Sequence, residues 1–256
     1  MSQVRPAAVA GRFYSGNASA LRKKVSELVD SVDVPGDDAL ARAYVVPHAG
    51  YVFSGPVAAH VYARLRRHAD KIGRVVLVGP SHFSPLIGMA ASPASGWETP
   101  LGTVRVADAG DVAAADPEPH AREHSLEVQL PFLQVCAGDG LTAVPVAVGK
   151  TRPDDVADAL DRLVDSDTVL LCSTDLSHYL DDAAAKLRDR ATADAILHRR
   201  HDKIAPGDAC GIFALRGTVA WASRHGLRPV ELDLRTSADT VGGPERVVGY
   251  PAFSFS

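Results

Sequence analysis

Three hydrophobic segments of this sequence run directly into polar turns, and each of these turns carries a histidine. The turns are residues 47–51 after the strand-like run 43–46, residues 79–83 after 74–78, and residues 173–178 after 168–172. Short β-branched runs bounded by turn residues are typical of buried strands. In an open α/β sheet, ligands bind beside the carboxyl ends of the strands. If the three strands are parallel neighbours, the turns therefore converge on one pocket, with the candidate side chains His48, His82, Asp175 and His178.

Between these segments the hydrophobic periodicity alternates between helix and strand. Asn17 is an N-cap residue type, and Leu21, Val25 and Leu28 follow it on one helical stripe. A second helix is predicted to begin at Ser54 and Pro56, because proline is favoured in a first helical turn. Further helices are predicted after residue 125, around 156–164 and over 183–198 and 212–222, with further strands over 102–106, 141–148 and 247–255. Strands separated by helices predict an α/β sandwich with a mixed, largely parallel sheet.

Composition and charge exclude several classes of protein. The chain has 256 residues and a net charge of −4, without the basic face of a nucleic-acid binder. It contains no apolar run of the ~18 residues that a membrane span needs, and no apolar stretch follows its first residues as in a secretory signal. Three cysteines without a CxxC pair indicate reduced thiols. We therefore expect one cytoplasmic domain over residues 1–256, with no nucleic acid and no membrane as partners.

The residue types at the strand ends suit a metal ion. Imidazole binds Fe, Zn, Cu and Ni, and two histidines with one anionic ligand leave positions open for substrate or O₂. Asp175 and His178 are three residues apart, so one of them can orient or bind the metal while the other transfers a proton. Each single histidine can equally be solvated or capping. Cys210, between small residues, is either a metal ligand or nucleophile, or a buried structural thiol.

The segment 123–127 is predicted to open a helix, with Ser125 as its N-cap and Glu127 in the first turn beside the helix dipole. His124 then either lines the pocket or faces water. Cys136 and Cys172 are interpreted as buried structural thiols. The remaining histidines are predicted to be on the surface, namely His60, His68, His120, His198, His201 and His225.

Five short motifs stand out along the chain: PHAGY at 47–51, GPSH at 79–82, EHSLEVQLP at 123–131, STDLSH at 173–178 and ACG at 209–211. With these motifs in the same order, the sequence resembles the Memo family over nearly its whole length. Members of that family are also labelled AmmeMemoRadiSam system protein B. The resemblance implies a Memo-like domain with a three-layer α/β/α fold. That fold is shared with class III extradiol dioxygenases, which are non-haem iron(II) enzymes.

The resemblance also implies a site. His48, His82 and Cys210 would bind the metal, with Fe(II) as the first choice and Cu or Zn as alternatives. Asp175 and His178 would be the acid–base groups. The predicted substrate-binding residues are His124, Tyr51 and Ser81. The ligand would be a small molecule or a peptide, and the family label implies a radical-SAM protein and an AMMECR1-like protein as partners.

The resemblance also implies a difference from the dioxygenases: Cys210 stands where they use a glutamate, and a thiolate changes the charge distribution of iron and is itself oxidisable. From the family pattern itself the sequence departs at two positions. Ile212 stands where an arginine often follows the Cys-Gly pair, which bears on the charge of the substrate, and Thr174 where a second serine is common. The prediction is a metal-dependent redox enzyme. The alternatives are a peptide-binding adaptor without turnover and a metal-assisted hydrolase.

Overall fold

Strands and helices alternate along the chain in the computed structural model, which describes residues 4–138 and 140–256. Residues 1–3 lie outside the described part; they belong to the N-terminal segment in which the sequence predicts no secretory signal. The strands are β1 Val4–Arg5, β2 Ala43–Val46, β3 Arg74–Pro80, β4 Met89–Ala91, β5 Gly96–Thr99, β6 Gly102–Val106, β7 Ala114–Ala115, β8 Thr142–Val148, β9 Thr168–Ser173, β10 His178–Leu180, β11 Pro229–Thr236 and β12 Val247–Phe255. The α-helices are α1 Ala18–Asp30, α2 Tyr51–Arg67, α3 Glu118–Ala121, α4 Leu130–Cys136, α5 Pro153–Leu163, α6 Asp182–Leu197 and α7 Ile212–Arg224.

All of these strands belong to one mixed sheet in the order β1-β5-β6-β8-β3-β9-β2-β12-β10, with β11 on β12 and with β4 and β7 at the side of β8. Its centre, β6-β8-β3-β9-β2, is parallel throughout. Strand β9 lies between β3 and β2, with Leu171 opposite Leu77 and Ser173 opposite Val46. The three histidine-bearing strand ends therefore meet at one edge of the sheet, because parallel neighbours end on the same side.

Helices cover both faces of this sheet. Val75 and Leu77 of β3 belong to the hydrophobic cluster beneath α1, α2 and α4. The alternating residues Val76 and Val78 belong to the cluster beneath α5, α6 and α7. Because successive strand residues face opposite sides, both sides of the strand need apolar residues, which explains the continuous hydrophobic runs in the sequence. The predicted three-layer α/β/α sandwich is confirmed.

The predicted start of the second helix was wrong. Helix α2 begins at Tyr51 rather than at Ser54 or Pro56, since the Gly50 carbonyl already accepts the amide of Ser54. Pro56 then lies in the second turn, where it removes only the hydrogen bond to the carbonyl of Val52. Val52 is exposed, so water can satisfy that carbonyl. No helix in the described part of the chain is long and apolar enough to cross a bilayer.

The prediction for His120 was also wrong. Its imidazole is buried, Nε2 donates to the Ala90 carbonyl at 3.0 Å, and the ring meets Trp97 edge-on at 5.6 Å. The polar residues around it in sequence suggested a surface position, but α3 folds that part of the loop beneath β4. The other five histidines of the predicted surface set are exposed or half-buried. Cys136 and Cys172 are buried, as predicted.

Candidate metal centre

Three histidines from separate parts of the chain meet at the carboxyl edge of the sheet. His48 follows β2, His82 follows β3, and His124 lies between α3 and α4. Each offers a ring nitrogen, and these three nitrogens all lie within 4.8 Å of one another. The His48 ring centroid is 5.3 Å from that of His82 and 5.4 Å from that of His124. The rings of His82 and His124 stack at 4.7 Å. A cluster of this size can enclose a single metal ion.

The protonation of His48 follows from its neighbours. The Ser173 hydroxyl donates its one proton to the carbonyl of Ser125 at 2.7 Å, so its oxygen can only accept from His48 Nδ1 at 2.9 Å. The proton of a neutral His48 is therefore on Nδ1, and Nε2 is unprotonated, with the Cys210 sulfur as its neighbour at 3.1 Å. Burial lowers the pKa of His48 well below its usual value, and the neighbouring imidazoles act in the same direction. A buried, neutral imidazole with an unprotonated Nε2 is the form that binds metals.

Glu123 fixes His82 in the same way. Its carboxylate, fully buried, accepts the amide of His82 at 2.6 Å and Nδ1 of the same residue at 2.9 Å. The amides of His124 and Ser125 add two further hydrogen bonds at 2.9 and 2.8 Å. Burial acts to raise the pKa of Glu123, but the hydrogen bonds and charge of His82 and the amide of Ser125 lower it to about 2. The ionised carboxylate holds the proton on Nδ1, which leaves Nε2 of His82 free. Sequence reasoning did not assign this role to Glu123.

His124 contributes a nitrogen without a partner. Its Nδ1 is buried, lies 3.4 Å from Glu123 Oε1, and makes no hydrogen bond within the described residues. Burial lowers the pKa of His124 to about 4, and the charges of His82 and Arg12 act in the same direction, against that of Glu123. The imidazole is therefore neutral near pH 7. A neutral imidazole with a ring nitrogen within 4.8 Å of those of His48 and His82 fits a metal ion.

Cys210 touches the imidazole cluster through His48. Its sulfur lies 3.1 Å from His48 Nε2 and accepts the Asp175 amide at 3.2 Å. Burial, with the charge of Asp175, raises the pKa of the thiol, so the free site holds a protonated cysteine. A Cβ on Gly211 would lie 2.9 Å from the Thr174 side chain, which explains the glycine after the cysteine. Among the described residues, the group with mutually close ligand atoms contains His124 but not Cys210.

The two predicted acid–base residues flank His48. Asp175 is buried, and its Oδ1 accepts the His48 amide at 2.7 Å. Burial raises the pKa of Asp175 to about 7, although the hydrogen bond from that amide opposes the shift. His178 Nδ1 donates to the Leu176 carbonyl at 2.8 Å, and burial lowers the pKa of this imidazole. Asp175 can thus exchange a proton near neutral pH, while His178 presents a free Nε2.

Tyr51 and Ser81 are the other two predicted substrate-binding residues, and their hydroxyls donate hydrogen bonds to backbone carbonyls of the protein itself. Tyr51 is buried, donates to the Val128 carbonyl at 2.5 Å and packs against the Phe132 ring at 4.7 Å. Ser81 donates to the carbonyl of Ser84 at 2.7 Å. Of the predicted substrate-binding residues, the structure places only His124 among the clustered imidazoles.

A buried ion pair supports the site from the N-terminal segment. Glu127 lies in a first turn, as predicted, at the start of the short 3-10 helix Glu127–Gln129; it is also fully buried and accepts Arg5 Nη1 at 2.6 Å. Its carboxylate further accepts the amides of Ala8 and Val9 and the hydroxyl of Tyr14. The ion pair was not predicted, because the chain entering from β1 supplies a charged partner that local sequence does not reveal.

Comparisons with known proteins agree with this architecture. A family model described as "Memo-like protein" matches residues 5–252. A "MEMO1 family protein" of Methanococcoides burtonii is 34% identical, over 97% of this chain and 98% of the relative. Proteins of the same description from Metallosphaera sedula and Ignicoccus hospitalis are both 33% identical over 98% of this chain, covering 99% and 98% of their own lengths.

Proposed function

Because the chain belongs to the Memo family, we propose that its clustered imidazoles hold a redox-active metal ion, Fe(II) before Cu, in an enzyme that acts on a small molecule. The observation that carries this proposal is the group of three histidine nitrogens within 4.8 Å of one another. Hydrogen bonds to Ser173 and Glu123 keep a proton on Nδ1 of His48 and of His82, so each Nε2 can offer a lone pair to a metal, with the Cys210 sulfur 3.1 Å from that of His48. A bound iron ion would supply a redox couple and open coordination positions.

The third ligand is either His124 or Cys210. The geometry favours His124, which offers a ring nitrogen within 4.8 Å of those of His48 and His82. The family resemblance favours Cys210, whose sulfur lies 3.1 Å from His48 Nε2. A cation at this position would favour the thiolate, because a nearby positive charge stabilises the ionised form.

Asp175 and His178 would handle protons beside the metal. With its pKa raised to about 7, Asp175 can accept a proton from a substrate hydroxyl or return one without a large change in pH. The His48 amide, bonded to Asp175 Oδ1 at 2.7 Å, keeps that carboxyl beside the metal-binding imidazole. His178, with Nδ1 committed to the Leu176 carbonyl, can exchange a proton only through Nε2.

Metal analysis of untagged protein, produced with iron in the medium, tests the proposal. We expect stoichiometric metal in the wild type and its loss in His48→Ala and in His82→Ala, while His225→Ala, an exposed surface control, keeps it. Retention of metal in both site variants would overturn the assignment. Cobalt substitution identifies the third ligand. A sulfur-to-cobalt charge-transfer band that disappears in Cys210→Ser assigns Cys210, whereas loss of cobalt binding in His124→Ala with no such band assigns His124.

A metal-assisted hydrolase is the second candidate, because three imidazoles are also a catalytic zinc ligand set. Such an enzyme would use a metal-activated water, with Asp175 as the base. Oxygen uptake separates the two candidates. Consumption of O₂ by metal-loaded protein with a panel of phenols and small thiols favours the redox enzyme, and turnover without O₂ consumption favours the hydrolase.

A further inference from the structure

We propose that a cleft beside His124 binds the carboxylate of a flat, ring-containing small molecule, which would be the substrate class of this site. The inference rests on the proposed metal centre, since it places the ligand next to one of the three imidazoles. The cleft has a volume of about 350 Å³, and His124 forms part of its wall. A space of this size is at the lower end of small-molecule sites and accommodates one substituted ring.

The walls of the cleft are aromatic. Phe13 and Phe83 both line it, and their ring centroids lie 4.6 and 6.0 Å from that of His124. Phe83 is 51% exposed, although burial is the usual state of a phenylalanine. Rings in these positions offer faces and edges against which a flat ligand can pack, and a saturated ring fits such surfaces less closely.

Two arginines supply positive charge to the same cleft. Arg12 and Arg122 both line it, and neither guanidinium makes a hydrogen bond or ion pair with any described residue. Arg122 lies over the Phe83 ring at 5.0 Å from its centroid. The two buried carboxylates of this region are not partners of these arginines, since Glu123 accepts a hydrogen bond from His82 and Glu127 forms an ion pair with Arg5. Arg12 and Arg122 are therefore free to bind an external anion.

The geometry selects a carboxylate on a ring rather than a bare anion. Guanidinium groups bind planar carboxylates through two parallel hydrogen bonds, which fixes the plane of the ligand. With the carboxylate on Arg12 and Arg122, the ring would lie between Phe13 and Phe83 and extend toward His124.

Calorimetric titration with benzoate tests the cleft directly. We expect Arg12→Gln and Arg122→Gln each to weaken benzoate binding roughly tenfold and the double variant more, while Arg22→Gln on the exposed face of α1 leaves it unchanged. Cyclohexanecarboxylate, benzyl alcohol and inorganic phosphate serve as comparison ligands, and all should bind more weakly than benzoate. Unchanged benzoate affinity in the double variant would overturn the proposal, as would equal binding of phosphate or of benzyl alcohol.

A second variant and a metal measurement separate this proposal from the previous one. Phe83→Leu keeps an apolar side chain at an exposed position, so we expect it to fold and to lose the preference for benzoate over cyclohexanecarboxylate. A preference that persists in Phe83→Leu contradicts the role of the ring. Metal content is measured on the same samples. If benzoate binding depends on the arginines in protein that binds no metal, the cleft proposal stands and the metal-enzyme proposal fails. If the protein binds stoichiometric metal but no benzoate, the metal-enzyme proposal stands and the cleft proposal fails.

Discussion

At the scale of single residues, the Glu123 carboxylate positions two of the three imidazoles. It accepts the amide and Nδ1 of His82 and the amide of His124. Because a ligand histidine must present Nε2 in a fixed direction, the group that holds Nδ1 contributes to metal affinity without touching the metal.

We expect Glu123→Gln to weaken metal binding by about 10- to 100-fold. Glutamine keeps one accepting oxygen, but its NH2 group cannot accept, so at least one of the donors now bonded to Glu123 loses its partner, which should cost about 1–3 kcal/mol of unfolding free energy. Chelator competition measures the first effect and urea unfolding the second. Glu98→Gln, on the exposed side of β5, is the matched control and should change neither. Unaltered metal affinity in Glu123→Gln would show that the hydrogen bond to Nδ1 does not matter.

Burial of His120 makes the stability of the protein depend on pH. Burial lowers the pKa of His120 to about 4, below the ~6.5 of an unfolded histidine, although its hydrogen bond to Ala90 opposes the shift. Between these values the unfolded chain binds a proton that the folded chain does not. The unfolding free energy that neutral His120 contributes is therefore fully present above about pH 6.5 and is lost as the pH falls toward 4. The loss amounts to about 2 kcal/mol by pH 5.

Replacing this imidazole should flatten the pH profile. We expect His120→Gln to be less stable than the wild type at pH 7.5, because packing against Trp97 is lost. Its unfolding free energy should nevertheless fall less than that of the wild type between pH 7 and pH 5, by about 2 kcal/mol. Urea unfolding at several pH values measures both profiles. Parallel profiles would mean that His120 is protonated at the same pH in the folded and unfolded chain.

At the scale of elements, the sequence predicts the strands and helices whose positions are set by hydrophobic periodicity. Strands β3, β8 and β9 lie at the sheet centre, so both of their faces need apolar residues and their runs are unambiguous. Strand β11 was not predicted, because it is half-exposed and carries Glu231, Asp233 and Arg235 while it pairs only with β12. The prediction that His48 and His82, which each follow a strand, lie at the same edge of the sheet is confirmed. The roles of Glu123 and Glu127 depend on how the loop after α3 packs, which periodicity does not report.

Close packing between α5 and α7 requires a glycine. A Cβ on Gly217 would lie only 2.3 Å from Cβ of Val156, so the two helices approach at this point without a side chain between them. We expect Gly217→Ala to lower the unfolding free energy by about 1–3 kcal/mol, since overpacking outweighs the better helix propensity of alanine. Urea unfolding measures the change. Gly73→Ala, where a Cβ would have nothing within 4 Å, is the control.

A second substitution shows whether this contact causes the loss. In a Val156→Gly background both the Cβ and the methyl group that the added Cβ would meet at 2.3 Å are absent, so Gly217→Ala should cost much less there than in the wild type. The expected coupling energy lies within the ~0.5–3 kcal/mol typical of residues in contact. Equal costs in both backgrounds would place the origin of the effect elsewhere in α7.

At the scale of the whole molecule, Arg5 connects the first strand to the loop of the candidate metal centre. Its guanidinium donates to the Glu127 carboxylate at 2.6 Å and to the carbonyls of His120 and Glu123 at 2.7 and 2.6 Å. It also lies 4.1 Å from the centroid of the Trp97 ring. Because the Glu123 carboxylate in turn accepts hydrogen bonds from His82, the N-terminal segment and the candidate metal centre are connected through Glu123. Stability and metal affinity should therefore change together when Arg5 is replaced.

Removing Arg5 leaves the buried Glu127 carboxylate without its cation. We expect Arg5→Met to lower the unfolding free energy by about 3–5 kcal/mol, the usual cost of breaking a buried ion pair from one side. Arg5→Lys keeps the charge but cannot donate to Glu127 and to both carbonyls in the same fork geometry, so it should lose less stability and still weaken metal binding. Arg22→Met, on the exposed face of α1, is the control. Urea unfolding and chelator competition are measured on each variant. If Arg5→Lys loses stability but keeps full metal affinity, the N-terminal segment supports the fold without positioning Glu123.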